Sequence, residues 1–194
     1  MDVAFGRAGT STGVHAARLA LVAATAVAVT LEVPLDDIGA RIRRLAPAHH
    51  RGELLRLPGG VTLIDDSYNS SPAALKRSLE IVGAACGSAR KVAVLGEMLE
   101  LGGHAARLHR ECGAVASRAG LDLLLVVGSV AAADLASAAR DAGMPAASVI
   151  HFPDRETAAA ETLRLVRPGD LVLVKGSRGI GLDLVVERLE REFA

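Results

Sequence analysis

The sequence predicts an open α/β fold with a mostly parallel sheet flanked by helices, and three observations carry that prediction. From about Gly52 onward, short apolar runs alternate with longer stretches of helical period, the pattern of successive βαβ units. Hydrophobic residues make up 51% of the 194-residue chain but aromatic residues only 2%, so the core is built from Ala, Val, Leu and Ile. Side chains of that kind suit a sheet covered on both faces. Finally, polar clusters follow the apolar runs, where open sheets of this class bind ligands beyond the carboxyl ends of their strands.

The elements read in order as follows. Residues 1–13 carry Gly, Ser and Thr without a period and read as a loop or a severed end. A helix is predicted over 14–31. Its apolar run at Ala16 to Leu31 superficially resembles a secretory leader, but Arg18 lies inside it and a second helical pattern follows directly, so a buried amphipathic helix is the better account. Pro34 and Asp36 open that second helix, which reaches about Leu45, since proline is tolerated in a first turn and acidic residues favour that end. The two make a helical hairpin. Leu54 to Leu57 and Val61 to Ile64 flank Pro58-Gly59-Gly60 and read as a β-hairpin. Further strands are expected at 92–95, 123–127, 148–152 and 171–174, with helices at 72–85, 104–119, 130–142, 155–166 and 181–192.

Composition narrows the function. Lys plus Arg and Asp plus Glu both number 22, so no basic field exists to hold a nucleic-acid backbone or an anionic membrane, and any anionic ligand must be gripped locally. Cys86 and Cys112 have no metal-binding spacing and read as buried free thiols of an intracellular, cytoplasmic protein. No metal site is predicted.

Three strand exits carry candidate chemistry. Ile64-Asp65-Asp66-Ser67-Tyr68-Asn69-Ser70-Ser71-Pro72 brings two carboxylates, a phenol and an amide to the start of a helix, able to grip sugar hydroxyls or a metal. Turn formation and helix capping explain the same residue types without a ligand. Lys175-Gly176-Ser177-Arg178-Gly179 sets two cations and a hydroxyl after the last strand and before a helix, a grip for a carboxylate or phosphate. Its GSRGIG string imitates a dinucleotide-binding turn, but it lacks the opening βαβ context of that fingerprint. Between these, Glu97 and Glu100 are read as shaping a tight glycine turn and His109 as packing on its helix, since none of them has a ligand spacing.

Taken together, IDDSYNSSP at Ile64 to Pro72, VLGEMLELG at Val94 to Gly102, LHRECG at Leu108 to Gly113 and LVKGSRG at Leu173 to Gly179 resemble the Mur ligases of peptidoglycan synthesis. The resemblance is strongest to the branch that joins D-alanyl-D-alanine to a UDP-N-acetylmuramoyl-tripeptide (UDP-MurNAc-tripeptide). It implies that residues 51–194 form the carboxy-terminal Rossmann-like domain and residues 1–50 the tail end of the central, ATP-binding domain. The implied cofactors are ATP and Mg2+, with their main determinants outside this chain, because no G-x-x-x-x-G-K-[ST] string occurs in it. The implied partners are UDP-MurNAc-tripeptide and D-alanyl-D-alanine, with amino-terminal and central domains supplied in cis.

By the same resemblance Lys175 is catalytic, Arg51, Asp66 and Asn69 contact the nucleotide, and Ser177 and Arg178 face the dipeptide or the tripeptide carboxylate. Three positions depart from the family pattern: Ala16 and Leu19 stand where asparagines are usual, and His50 where glycine usually precedes the hinge arginine. The chain alone is expected to be inactive. The rival reading is a non-catalytic nucleotide- or peptide-binding module derived from the same family. An unrelated redox domain is the weakest reading, for want of an opening glycine fingerprint. Leu21, Val22 and Val29 are expected to form an exposed apolar face on the first helix.

Overall fold

The computed structural model describes residues 11–44, 49–85 and 90–194, with the side chains described from residue 21 onward. Residues 1–10 of the loop predicted over 1–13, Cys86, and the side chains of His15, Ala16 and Leu19 lie outside the described residues, whereas residues 11–13 are helical. The described residues divide into two compact units, one over 11–44 and one over 49–85 and 90–194.

The first unit is the predicted hairpin, α1 (Ser11–Thr30) and α2 (Leu35–Ile42), with Pro34 at the amino-terminal cap of α2 and Asp36 and Asp37 in its first turn. Leu21, Thr25 and Ala28 turn toward Ile38 and Ile42 around a cavity of about 460 Å³. Val22 and Val29 form the expected exposed apolar face, while Leu21 packs toward α2 and the helix is not buried as an amphipathic one. Its apolar residues are spread around the helix, so packing one side against α2 leaves Val22 66%, Val27 59% and Val29 49% exposed.

The second unit is a six-stranded sheet in the order β1-β2-β6-β3-β4-β5. Its strands are β1 (Glu53–Arg56), β2 (Thr62–Asp66), β3 (Lys91–Gly96), β4 (Leu123–Val127), β5 (Val149–Phe152) and β6 (Leu171–Lys175). Only β1 is antiparallel, paired with β2 across the predicted Pro58-Gly59-Gly60 turn. The helices are α3 (Pro72–Ala84), α4 (Ala105–Ala116), α5 (Val130–Asp141), α6 (Arg155–Leu165) and α7 (Asp183–Glu192). β4 and β6 are buried along their whole length, as continuous Leu/Val runs require. Leu63, Val94, Leu125, Val174, Val185 and Leu189 are among the side chains that make the core.

The chain order β3, β4, β5 walks outward along the sheet. α6 then returns the chain so that β6 inserts between β2 and β3. That insertion is the topological switch of the sheet, and it sets the exits of β2, β6 and β3 side by side. At the opposite end of the sheet, Arg90 clasps Asp170 with two hydrogen bonds, Nε to Oδ1 at 3.0 Å and Nη2 to Oδ2 at 2.7 Å. Asp170 is 3% exposed and also accepts from the Arg167 amide, so one carboxylate ties the starts of β3 and β6 together. The hydrogen bond to Asp170 raises the pKa of Arg90.

Cys112 is a buried free thiol on α4, and burial pushes its pKa up to about 11, which keeps it protonated and inert. Its neighbour Gly113 is where α4 and α5 touch. A Cβ there would collide with the Leu135 carbonyl oxygen and lie 3.0 Å from Ala138 Cβ. Because the obstruction is backbone, it yields little, and overpacking of this kind costs about 2 kcal/mol or more. Gly113→Ala is therefore expected to lower the urea midpoint of the chain with little change in the slope of the transition; an unshifted midpoint would mean that α4 and α5 separate freely.

Candidate active site at the sheet switch

The three strand exits set side by side by the insertion of β6 carry the candidate residues. Asp66 ends β2 and Lys175 ends β6, and the two are register neighbours in the parallel pair. Adjacent register positions ending at the same level place the side chains within reach. Lys175 Nζ donates to Asp66 Oδ2 at 2.6 Å and to the Asn69 carbonyl at 2.9 Å. The Lys175 side chain is 2% exposed and that of Asp66 22%. Ser78 on α3 also donates to Asp66 Oδ2, at 3.2 Å, which leaves Oδ1 for another donor. An ammonium has three N–H groups, and two of those on Lys175 are occupied in this way.

The other half of the doublet, Asp65, faces the segment that carries His50. Its carboxylate is 1% exposed and accepts from the Ser67 amide at 3.1 Å, the Ser67 hydroxyl at 2.7 Å and His50 Nδ1 at 2.6 Å. Two backbone bonds reinforce this contact, Tyr68 N to His50 O at 3.1 Å and Gly52 N to Asp65 O at 2.8 Å. His50 has φ +63°, the left-handed region, which explains why a glycine suits the position and why the histidine needs a partner to stay there. Arg51 lies between these anchors, exposed, with its Cζ 4.5 Å from the centroid of the Tyr68 ring.

Arg178 approaches the same ring from the β6 exit, with Cζ 5.4 Å from the centroid and Nη1 3.4 Å from the phenolic oxygen. The helix predicted over 181–192 begins at Asp183. A 3-10 turn at Arg178–Ile180 and a left-handed Gly181, φ +72°, intervene before α7, so Arg178 is carried on a turn and not on the first turn of a helix. Ser177 is buried and its hydroxyl accepts from the Leu99 amide at 2.9 Å. It thereby braces the β6 exit against the β3 exit.

The β3 exit behaves as read from the sequence. Glu97 accepts from the Ser129 amide at 2.6 Å, Glu100 adopts φ +65°, and His109 is buried, with Nε2 accepting from the Met98 amide at 2.9 Å. Asn69 is exposed and its Oδ1 accepts from the Ser70 amide at 2.8 Å, while Ser71 caps α3 by accepting from Ala74, so capping accounts for part of the IDDSYNSSP string. Sequence reading missed Tyr68 as the meeting point of two arginines, the His50–Asp65 pair, and the Ser78 contact to Asp66. The motif string contained the phenol, but only the folded chain shows what touches it.

The residues present fit part of a nucleotide and not a magnesium cradle. Among the described residues no group of three or more His, Cys, Asp or Glu comes together as a metal site. Asp66 Oδ1, by contrast, has no protein donor among the described residues, the acceptor that a sugar hydroxyl would use, whereas Ser70 Oγ is buried without a hydrogen-bond partner. Arg51 and Arg178 pair with no carboxylate among the described residues, which leaves both available to an oxyanion.

His50 gives the site a pH dependence. The hydrogen bond to Asp65 raises its pKa above 6.5, with burial opposing and the Asp65 charge adding. A pKa raised on folding contributes stability that is fully present below the unfolded value and is lost as pH rises through the folded one. Melting temperature is thus expected to fall from pH 6 to pH 8 in the native chain more than in His50→Asn, which keeps a residue tolerant of left-handed backbone and removes the charge. Parallel curves for the two proteins would mean that the pair carries no charge linkage.

Comparison with known proteins gives the family of the chain. Residues 50–178 match the family described as Mur ligase, glutamate ligase domain. The UDP-N-acetylmuramoyl-tripeptide–D-alanyl-D-alanine ligase of Mycobacterium tuberculosis (strain CDC 1551 / Oshkosh) is 34% identical over 194 residues, covering 91% of this chain and 38% of the ligase. The Bacillus subtilis ligase of the same name is 30% identical over 167 residues, covering 86% and 36%. The chain thus spans a little over a third of the length of these relatives. Among solved structures, the MurF ligase of Thermotoga maritima in complex with ADP superposes with a TM-score of 0.63 and 28% identity, over 87% of this chain and 36% of that one. A MurF crystal structure from Acinetobacter baumannii shares the fold with a TM-score of 0.72 over 88% of the chain. With the family match spanning most of its sheet domain and both strand-exit motifs, the chain belongs to the Mur ligase family.

Proposed function

We propose that this chain serves as the carboxy-terminal portion of an ATP-dependent amide ligase that adds D-alanyl-D-alanine to UDP-MurNAc-tripeptide in the cytoplasm. The observation that carries the reading is the Asp66–Lys175 pair at the sheet switch, in a chain about one-third identical to ligases named for that reaction. In such a reaction the γ-phosphoryl group of ATP passes to the tripeptide carboxylate, and the dipeptide amine then displaces phosphate from the acyl phosphate to form the amide. Protein residues contribute mainly by holding the reactants in line and by neutralising charge.

On this reading Asp66 Oδ1 and Asn69 receive the ribose end of the nucleotide and Arg51 its phosphates. Lys175 fixes Asp66 and offers its third N–H toward the reacting carboxylate, with Arg178 and Ser177 on the dipeptide side. ATP and Mg2+ bind chiefly to the central domain, so residues 1–194 alone carry no ligation.

The experiment that tests the reading is a chimera: the carboxy-terminal domain of the Bacillus subtilis relative replaced by residues 49–194, assayed for phosphate release and for the joined product. The chimera is expected to ligate D-alanyl-D-alanine in preference to single amino acids, and the isolated chain is expected to give no product. Within an active chimera, Lys175→Ala should lower turnover about tenfold or more, as loss of a charge-assisted contact does. A folded chimera without ligation, or an unchanged Lys175→Ala turnover, would overturn the assignment or remove Lys175 from the site respectively.

A further inference from the structure

We infer that His109, buried on α4, is a positioning residue for the turn that carries Arg178, acting through the amides of Met98 and Leu99 on Ser177. The first link is His109 Nε2, which accepts from the Met98 amide at 2.9 Å. The second is the Leu99 amide, which donates to Ser177 Oγ at 2.9 Å, while the Ser177 amide returns a bond to the Glu97 carbonyl at 3.4 Å. Ser177 in turn closes the 3-10 turn at Arg178–Ile180, its carbonyl accepting from the Ile180 amide at 2.9 Å.

The partners fix the tautomer of the ring. Met98 offers a hydrogen, so Nε2 accepts it; the Ala105 carbonyl, 2.8 Å from Nδ1, receives one, so the ring hydrogen sits on Nδ1. Both nitrogens of a fully buried imidazole are thereby satisfied, one by α4 itself and one by the β3 exit. Met98 is 1% exposed, and an amide in so dry a setting is costly to leave without an acceptor. Loss of the ring would therefore displace the segment that carries that amide.

A displacement there has a short route to Arg178. Glu97, Met98 and Leu99 each bond to a different element, Glu97 to the Ser129 amide, Met98 to His109 and Leu99 to Ser177. Leu99 meets the turn twice, because its side chain lies on Gly179, where a Cβ would fall 2.8 Å from Leu99 Cδ1. Beneath it the exits of β3 and β6 run close together: a Cβ on Gly96 would lie 3.1 Å from Gly176 Cα. With no slack between the two exits, movement of 97–99 is carried into the Ser177–Arg178 turn.

The other side of the site hangs on different contacts. Lys175 is held by Asp66 and the Asn69 carbonyl, and Asp66 by Ser78 on α3. Loss of the His109 acceptor thus bears on the Arg178 turn and spares the Asp66 side. The inference rests on the ligase reading for its meaning: on that reading Ser177 and Arg178 face the dipeptide, so His109 governs affinity for the dipeptide and not for the nucleotide.

Two variants separate the acceptor from the bulk of the ring. His109→Phe fills the space without an acceptor, and His109→Gln offers Met98 a carbonyl oxygen; His109→Met, a more adaptable apolar side chain, replaces the phenylalanine variant if that one does not fold. In the 194-residue chain, His109→Phe is expected to speed amide hydrogen exchange at Leu99 and Ile180 about tenfold beyond any change at the core residue Leu125, and His109→Gln to hold it within about threefold of native. Ser177→Ala, which cuts the second link, should leave His109→Phe no further effect at Ile180. In the chimera, His109→Phe should raise KM for D-alanyl-D-alanine about tenfold and keep KM for ATP within about twofold, with His109→Gln near native.

Equal acceleration at Leu99, Ile180 and Leu125, no rescue by glutamine, an effect at Ile180 that survives Ser177→Ala, or matched rises in KM for ATP and dipeptide would overturn the relay. A folded but inactive chimera would overturn the ligase reading, and the exchange rates of the chain then decide the relay by themselves.

Discussion

The ion pair between Asp66 and Lys175 is the contact on which the candidate site depends. It joins the ends of two parallel strands that are distant in sequence, and it exists because β6 inserts beside β2 in a register that brings both residues to the same level. A buried ammonium is tolerated only with partners, and Lys175 has a carboxylate and a carbonyl. Removing either charge would leave the other uncompensated in a largely dry setting, so the pair fixes the course of both exits and the turn that carries Asn69.

From that pair the rest of the site is arranged in two shells of restraint. On one side Asp65, the neighbour of Asp66 in the same strand, points to the opposite face and captures His50, which sets Arg51. On the other side the residues after Lys175 lead to Ser177 and Arg178, braced by the Leu99 amide. Alternation along β2 thus distributes adjacent carboxylates to two tasks, one holding the segment at His50 and one pairing with Lys175.

Much of this was legible in the sequence, and the physical reasons for what was not are specific. The strands and helices of 53–192 follow from aliphatic runs and helical periods, and the strand exits at Asp66 and Lys175 follow from the rule for ligand positions in open sheets. Strand order was not legible, because nothing in the local pattern says that the last strand returns between β2 and β3; hence the partnership of Asp66 with Lys175 stayed hidden. Tyr68 could not be assigned, since its two arginines come from the segment before β1 and from the far end of the chain. The exposed apolar face of the first helix was legible at Val22 and Val29, whereas Leu21, expected on that face, turns toward α2. His50 is a similar case: the departure from glycine was visible, but its left-handed backbone and its carboxylate partner needed coordinates.

The Arg90–Asp170 clasp has a consequence for how such a domain changes over time. It locks the amino-terminal ends of the central strands, far from the exits that carry Asp66, Lys175 and Arg178. Anchorage and chemistry are therefore assigned to opposite ends of the same sheet. Loops at the carboxyl end can be lengthened, shortened or recharged to suit another acceptor while the strand register is held from below, so a lineage can explore new specificities without first having to refound its fold.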